Sequence, residues 1–332
     1  MLQNQFSYLS KKRILVTGGT GFLGTHLTSA LSTNNPEALW SIGRRDVDLL
    51  DVERTRRALR GYKPDIIFHL AATVGGIGAN RNQPGRFFYE NLKMGVELLE
   101  IARELKTEKI VLAGTVCAYP KILPVPFHES DLWNGYPEET NAPYGLAKKM
   151  LLVQAQAYRA QYDMNAIYLL PANLYGPGDH IDLQNSHVIP ALVQKIYLAK
   201  AEGHEQVELW GSGRATREFL HVQDAVRGLL LAAERYNEPE PVNLGAGVEH
   251  SIRDVAKIIA AEMQYSGKLV WNTAMPDGQP RRSLDTSLAK EKFGFEASID
   301  FKLGIKDTIL DIIAQLQQDE AKHKKHSAAV LA

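Results

Sequence analysis

Apolar and polar positions alternate in two different ways along the first half of the chain. Short apolar runs predict strands at residues 14–17, 39–43, 65–70, 109–114 and 165–170. Stretches with helical spacing of apolar residues lie between them, at 22–31, 51–61, 86–105 and 143–161. Strands that alternate with helices are typical of an α/β fold with a doubly wound parallel sheet, which is the fold class we expect.

The pattern becomes looser after residue 173. Residues 174–187 and 277–285 are rich in polar and turn-forming residues and predict loops. Helical spacing returns at 188–201, 222–234 and 251–263. We expect residues 173–316 to form mainly a smaller lobe over the carboxyl edge of the sheet, with some segments returning to the core. Residues 317–332 have little apolar surface to bury, which indicates a disordered tail.

Composition narrows the class of function. The 38 Lys and Arg residues balance 38 Asp and Glu residues, which argues against nucleic acid or a membrane surface as the main partner. The single cysteine, Cys117, excludes an internal disulfide and a cysteine-rich zinc site, and we expect no metal site. The start of the sequence has no apolar run long enough for a signal peptide or a membrane helix, so a soluble cytoplasmic protein is expected.

A glycine turn joins the first predicted strand to the first helix. Gly18, Gly21 and Gly24 are spaced GxxGxxG. Glycines at these places allow a tight turn and let backbone amides approach a pyrophosphate, while the helix N-terminus supplies partial positive charge. Glycine triplets also serve turns and helix packing elsewhere, but this one has the strand and helix that a dinucleotide site needs. We therefore expect a Rossmann-type dinucleotide-binding domain over residues 1–172.

The end of the second predicted strand indicates which dinucleotide is bound. NAD-specific folds place a carboxylate there for the ribose 2′-hydroxyl, whereas this chain has Arg44 and Arg45. Guanidinium groups suit a 2′-phosphate, which favours NADP. The alternative is that both arginines are solvated surface charges, partly neutralised by Asp46 and Asp48.

A reductase group is indicated by Tyr144 and Lys148, which are four residues apart on one predicted helix face. We expect the ammonium to lower the pKa of the phenol, which then gives a proton to a carbonyl oxygen. Thr115, just after the fourth strand, can hold the same oxygen. A YxxxK pair alone is common by chance, and the upstream threonine and the glycine turn make this interpretation specific.

Longer motifs extend the pattern over residues 12–316. They are GGTGFLG, HLAA, VGGIGAN, GTVCAYP, ETNAPYGLAK, PANLYGPGD, NSHVIPAL and WGSGRATREFLHV. With these motifs the chain resembles the extended short-chain dehydrogenase/reductase family, and within it the enzymes that epimerise and reduce a GDP-linked keto sugar. The resemblance implies NADPH-dependent inversion at carbons 3 and 5 and reduction at carbon 4 of GDP-4-keto-6-deoxy-D-mannose, which gives GDP-L-fucose. It also implies a homodimer built through the helices at 86–105 and 143–161.

The resemblance assigns site residues by motif. Cys117 matches the base and His187 the acid of the epimerisation, beside Thr115, Tyr144 and Lys148 as the other catalytic residues. The implied cofactor contacts are Gly18, Gly21, Phe22, Leu23, Gly24, Arg44, Arg45, Ala71, Tyr144, Lys148, Asn173 and His187. The implied substrate contacts are Lys195, Trp210, Arg217, Arg281 and Arg282.

Several of these assignments have plainer alternatives or depart from the family. A single cysteine after a strand is often a small buried apolar residue, and a lone loop histidine is often a surface residue. Trp210 fits a core position equally well. The family usually has Ser at Thr115. A free thiol titrates near about 8.5, so Cys117 needs positive charge nearby to act as a base.

Related activities compete with this interpretation. Dehydratases of the same fold place Asp-Glu directly after the threonine, where this chain has Val116 and Cys117. A 4-epimerase would keep NAD bound and would not need a Cys/His pair. A 3,5-epimerase without net reduction, a relative acting on another GDP-4-keto-deoxy sugar, and a non-catalytic NADP-binding regulator stay open.

Overall fold

Helices and strands alternate through most of the chain. The structure, a computed structural model, describes residues 6–181, 186–275 and 277–330, with the side chains of Ile77 and 320–330 excepted. Its strands are β1 (Arg13–Thr17), β2 (Ala38–Ile42), β3 (Ile66–His69), β4 (Lys109–Ala113), β5 (Ala166–Pro171), β6 (Asn173–Tyr175), β7 (Gln206–Trp210), β8 (Thr216–His221), β9 (Val242–Leu244), β10 (Glu249–Ser251) and β11 (Lys268–Asn272). Its helices are α1 (Phe22–Ser32), α2 (Val52–Tyr62), α3 (Ile77–Asn82), α4 (Pro84–Leu105), α5 (Ala142–Tyr162), α6 (Val188–Ala201), α7 (Val222–Arg235), α8 (Ile252–Glu262), α9 (Ser287–Phe293) and α10 (Phe301–Val330).

A six-stranded parallel sheet forms the centre of the larger lobe. Its strand order is β2-β1-β3-β4-β5-β9. Every residue of β3 and β4 is buried, because helices cover both faces of the sheet. The prediction of a doubly wound α/β sheet is confirmed. The chain leaves β1 to β2 on one side and to β3 on the other, so the crevice at the carboxyl ends of β1 and β3 is where such a fold binds a ligand.

The smaller lobe has its own apolar core and two small sheets, β10-β8-β6 and β11-β7. Helices α6, α8 and α10 surround that core. The loop predicted for 174–187 begins inside a strand, because Leu174 and Tyr175 pair with β8. Polar composition hid this strand, whose short length and non-local partner leave no periodicity to read. The strands β7 to β11 were not predicted either, although β7 alternates exposed and buried positions as a half-buried strand does.

A disordered tail was expected for residues 317–332, of which 331 and 332 lie outside the described residues. Helix α10 continues to Val330. Its sequence after Ile313 is rich in Ala, Gln and Lys, which are good helix formers. None of the helices in the described ranges is both long and apolar enough to cross a membrane.

Candidate active site

The glycine turn lies at the carboxyl end of β1, against the end of β3. Gly18 has a φ of +70°, and a Cβ there would lie 2.7 Å from the backbone nitrogen of Ala71. A Cβ on Gly24 would lie 2.6 Å from Cα of Gly19, so only glycine lets α1 start this close to the turn. Gly21 caps α1 without a side-chain hydrogen bond. The first-turn amides are thus left for an anion, and the turn fits a dinucleotide pyrophosphate.

His69, at the end of β3, lies beside this turn and was noted in the sequence only as part of HLAA. Its side chain is buried, and its Nδ1 is 2.8 Å from Oγ1 of Thr17. Burial, with the charge of Lys148, holds the His69 pKa well below its ordinary value. Its Nε2 has no hydrogen-bond partner within the described ranges. The site therefore contains a neutral buried imidazole between the cofactor turn and the reductase helix.

The two arginines after β2 have different surroundings. Nε of Arg44 donates to Oδ2 of Asp48 at 3.2 Å, and its Nη1 lies 3.8 Å from Oε2 of Glu90. Oδ2 of Asp46 instead accepts from a backbone amide, that of Gly43. Arg45 is exposed, and it has no carboxylate within 4.0 Å in the part of the chain that the structure describes. Neutralisation by the neighbouring aspartates thus applies to Arg44 and not to Arg45.

The three residues predicted for reduction come together. Thr115 lies two residues after the end of β4, and Tyr144 and Lys148 lie in the first turns of α5. The side chains of Thr115 and Tyr144 are hydrogen-bonded to each other, and Oγ1 of Thr115 also accepts from the amide of Cys117 at 3.2 Å. Thr115 and Lys148 are buried.

The expected pKa of Tyr144 is wrong in direction. Burial, with the charge of Cys117, raises the Tyr144 pKa, and the hydrogen bond from Thr115 offsets this only in part. Desolvation penalises the phenolate more than its neighbours stabilise it. Burial also lowers the pKa of Lys148 to about 8. Tyr144 is thus held as a protonated phenol, which is the form that a proton donor needs.

Cys117 lies on a one-turn helix, Val116–Ala118, and is partly buried. Nη1 of Arg282, whose side chain is buried, is 3.5 Å from its Sγ. Arg217 of β8 belongs to the same group, because burial and the charge of Arg282 lower its pKa to about 10 while Cys117 opposes this. The positive charge that the sequence analysis required for Cys117 comes from these two arginines.

Arg281 and Arg282 are adjacent but point in different directions. Arg281 is 60% exposed, and Nη2 of its guanidinium contacts Oε2 of Glu249. Arg282 lies against Cys117. The structure therefore brings Arg282, and not Arg281, to the thiol.

His187 caps α6 and is 56% exposed. Its Nδ1 lies 3.9 Å from Oδ1 of Asp179, which is buried and also accepts from the amide of His180 at 2.7 Å. The Asp179 carboxylate raises the pKa of His187, and desolvation opposes this. Asp179 was not predicted from the sequence, although it is a carboxylate in the same polar loop as the predicted acid.

The remaining predicted contacts lie in the smaller lobe or at its edge. Nζ of Lys195 lies 5.3 Å from the ring centroid of Trp210 and donates to the carbonyl of Glu208 at 3.2 Å. Trp210 is 62% exposed, so the alternative of a core position is wrong. Nδ2 of Asn173 donates to the carbonyl of Glu218 at 2.8 Å. Burial lowers the pKa of Lys195.

A buried carboxylate, which the sequence analysis also missed, fixes the backbone near Arg282. Oε1 of Glu218 accepts from the amides of Ala246 and Gly247 at 2.6 and 2.8 Å, and its Oε2 accepts from the amide of Leu284 at 2.6 Å. Glu218 therefore ties β8 to two loops, one of which carries Arg282.

Helix α5 also contacts the backbone of the cysteine segment. A Cβ on Gly145, the residue after Tyr144, would lie 2.8 Å from the carbonyl carbon of Cys117. A glycine is required here by close approach, and the approach fixes the position of Cys117 relative to Tyr144. Within the described residues, no group of three or more His, Cys, Asp or Glu side chains could hold a metal ion.

The comparisons with known proteins agree with this geometry. The family model described as NAD dependent epimerase/dehydratase matches residues 14–245. A GDP-L-fucose synthase of Sinorhizobium fredii is 37% identical over 90% of this chain and 94% of that protein. A GDP-L-colitose synthase of Yersinia pseudotuberculosis is 33% identical over 89% of this chain and 96% of its own. A crystal structure of a GDP-L-fucose synthetase from Naegleria fowleri bound to NADP superimposes with a TM-score of 0.84, at 29% identity, over 92% of this chain and 93% of that one.

These likenesses extend over nearly the whole chain and include both lobes. The family model alone spans more than half of the residues. The chain belongs to the NAD dependent epimerase/dehydratase family, and within it to the group that contains the GDP-L-fucose synthases.

Proposed function

We propose that the protein is an NADP-dependent enzyme that converts GDP-4-keto-6-deoxy-D-mannose into GDP-L-fucose by 3,5-epimerisation and 4-keto reduction. The observation that carries the proposal is the position of Cys117 between the reductase hydroxyls and two arginines. A ketoreductase needs no thiol there, whereas an epimerase needs a base beside the group that holds the ketone oxygen. The relatives named as GDP-L-fucose synthases support the choice of sugar.

Epimerisation begins with the ketone at carbon 4, which acidifies the hydrogens on carbons 3 and 5. The Cys117 thiolate takes one of these protons, and the electron pair moves to the ketone oxygen, where Thr115 and Tyr144 stabilise the enolate by hydrogen bonds. Protonated His187 then returns a proton to the opposite ring face, which inverts the carbon. The thiol loses its proton to solvent and the imidazole regains one before the second inversion.

Reduction follows at carbon 4 with the same hydroxyls. NADPH, when bound, supplies the hydride. Tyr144 donates its proton to the oxygen of carbon 4, which Thr115 orients, and buried Lys148 stabilises the phenolate that is left. The raised pKa of Tyr144 keeps this proton in place until it is needed.

The cofactor proposal assigns the pyrophosphate to the glycine turn and the 2′-phosphate to Arg44 and Arg45. Phe22, Leu23, Ala71, Asn173 and His187 are assigned to the cofactor as further contacts, as the family motifs imply. Arg45, which lacks a carboxylate partner in the described ranges, is the stronger of the two phosphate ligands. Residues 1–172 then form the NADP domain, and 173–316 supply mainly the substrate lobe, with Lys195, Trp210, Arg217 and Arg282 toward the GDP-sugar.

The enzyme acts as a homodimer in the cytoplasm. Long helices α4 and α5 carry exposed apolar side chains, namely Phe88, Tyr89, Val153 and Tyr162, which supports a contact between two copies of this helix pair. A single functional thiol suits a reducing compartment.

The direct test is to incubate the protein with NADPH and GDP-4-keto-6-deoxy-D-mannose and identify the sugar product by NMR. GDP-L-fucose is the expected product. A sugar reduced at carbon 4 without inversion would reject the epimerase, and inversion without oxidation of NADPH would reject the reductase. If the protein converts only another GDP-4-keto-deoxy sugar, it is an enzyme of the colitose or heptose type. If it binds NADP tightly but converts no sugar, it is a regulator.

A further inference from the structure

Arg282 is a buried arginine that has no carboxylate within 4.0 Å among the described residues. Arg227 pairs with Asp224, and Arg103 with Glu100, both carboxylates. Within the described ranges, the side-chain acceptors of Arg282 are the neutral Oε1 of Gln279, at 3.2 Å from Nε and 2.9 Å from Nη2, and Sγ of Cys117. A buried charge without an opposite charge is costly, so its surroundings favour a negative partner.

The side chain that holds Arg282 is itself held. Gln279 is buried, and its Nε2 donates to the carbonyl of Lys121 at 2.8 Å. That donation fixes Oε1 as the atom facing the guanidinium, where it accepts two hydrogen bonds. The remaining nitrogen, Nη1, is then directed at the thiol. A neutral amide positions the arginine without cancelling its charge, which a carboxylate at the same place would do.

We propose that Arg282 is a catalytic residue that stabilises the thiolate of Cys117, and that Gln279 is the positioning residue that aims it. The inference rests on the proposed function, in which Cys117 is the base, and it goes beyond a role for Arg282 in binding the substrate diphosphate. The charge–thiol distance is short, and both partners of the guanidinium are fixed. A thiolate also satisfies the nitrogen better than a neutral thiol does, because charge-assisted hydrogen bonds are the stronger ones.

Other titratable groups also lie near the thiol, and their charges bear on the thiolate less directly than that of Arg282. Arg217 of β8 adds a second positive charge, whereas Tyr144 of α5 is held neutral. The carboxylates of Glu138 and Asp277 act on Arg217. Glu138 is itself bound by the amides and side chains of the following turn. The balance near the thiol is therefore positive, and Arg282 is the member in contact.

The experiment uses the fact that Cys117 is the only cysteine of the chain. The full-length protein is alkylated with iodoacetamide from pH 5 to 10, with and without NADP⁺, and the rate is followed by mass spectrometry. Only the thiolate reacts, so the pH midpoint of the rate reports the charge around Cys117. Midpoints are compared rather than single rates, because a thiolate made more basic is also more nucleophilic.

Arg282→Gln should raise the midpoint and slow alkylation at pH 7 by about tenfold, the effect of losing an opposite charge beside a titrating group. Gln279→Met should raise it less, since the arginine stays but is no longer aimed. Arg282→Lys should recover part of the loss. Arg281→Gln is the matched control. The Arg281 guanidinium faces Glu249 and not the thiol, so its removal should leave the midpoint unchanged.

Equal midpoints in wild type, Arg282→Gln and Gln279→Met would overturn the proposal, even if the KM for the GDP-sugar rises. If Arg282→Gln does not fold, as judged by circular dichroism, Gln279→Met and Arg282→Lys decide the question. The measurement needs no substrate. A shifted midpoint in a protein without epimerase activity would therefore reject the proposed function and the catalytic role of Arg282, and would keep only the stabilisation of the Cys117 thiolate by Arg282.

Discussion

The residues assigned to reduction and those assigned to epimerisation are held in different ways. Thr115, Tyr144 and Lys148 come from the end of β4 and the first turns of α5, two neighbouring elements of the large lobe. The other group, Cys117, His187 and Arg282, comes from three segments that are far apart in the chain. The first group is organised by regular structure, and the second depends on how the smaller lobe folds over the sheet.

Their electrostatics differ as well. Burial is the leading cause of the pKa shifts of Tyr144 and Lys148. His187 is instead shifted mainly by one carboxylate, Asp179, and Cys117 is in contact with a guanidinium. Packing therefore sets the protonation of the reductase group, whereas one carboxylate sets that of His187. The second arrangement is the one that single substitutions should disturb most selectively.

The largest expected effects come from removing one group while leaving the other. Cys117→Ser should slow deuterium exchange at carbons 3 and 5 of the keto sugar by about 10² or more, the usual cost of losing an acid/base group. Slow oxidation of NADPH on the unepimerised ketone should remain. Tyr144→Phe should abolish or strongly reduce NADPH oxidation and leave a weaker exchange, because the phenol also stabilises the enolate. Exchange is measured by NMR in heavy water, and oxidation by absorbance.

Wild-type exchange at both carbons in Cys117→Ser would break the comparison, since Cys117 would then be a structural residue beside a simple ketoreductase. His187→Ala gives the complementary check. It should keep part of the proton abstraction and lose protonation on the opposite face.

A second test concerns the cofactor end of the large lobe. Replacing Arg44 and Arg45 with Gln should raise the KM for NADPH by about 10²-fold or more, because charged hydrogen bonds contribute about 1.5–3 kcal/mol each. The KM for NADH should change little. Steady-state kinetics with both cofactors measure this, and a wild type that uses NADH and NADPH equally well would contradict it. Arg60→Gln, an exposed arginine on α2 that faces Glu104, is a suitable control.

A third test addresses the backbone under Arg282. Glu218→Gln places an amide group where the carboxylate accepts from Leu284, so one buried amide loses its acceptor. We expect a destabilisation of about 1–3 kcal/mol and a loss of exchange about tenfold larger than the loss of NADPH oxidation. Urea unfolding and the two activity measurements check this. Equal losses in both reactions would mean that the loop does not serve epimerisation specifically.

The smallest effect at neutral pH is expected for Asp179→Asn. The carboxylate raises the pKa of His187, so the acid form is present below that pKa and is lost as pH rises through it. Without the charge, the alkaline limb of the exchange rate should move to lower pH, while rates well below pH 6 stay close to wild type. An unchanged limb would show that Asp179 only caps the loop through His180. The pH profile of NADPH oxidation by Cys117→Ser serves as the reference.

The large lobe was predictable because its signals are local. The glycine turn and Tyr144 with Lys148 lie on regular elements, so spacing alone brings each set together. Which of Arg281 and Arg282 contacts the thiol could not be predicted from the sequence. Neighbouring residues of an extended segment point to opposite sides, and only the packing of the segment in the fold decides which side faces the interior. The predicted lowering of the Tyr144 pKa was wrong for a related reason, since the depth of burial is a property of packing and not of the motif.

Gly145 has a consequence for how such an enzyme can diverge. The helix that carries Tyr144 touches the main chain at Cys117, with no room for even a methyl group. The backbone segments that carry Tyr144 and Cys117 are therefore in contact, and a shift of one segment would displace the other. Descendants of this scaffold that lose epimerisation or reduction should do so by exchanging side chains on an unaltered frame, which predicts that pure reductases and pure epimerases among its relatives keep a glycine at this position.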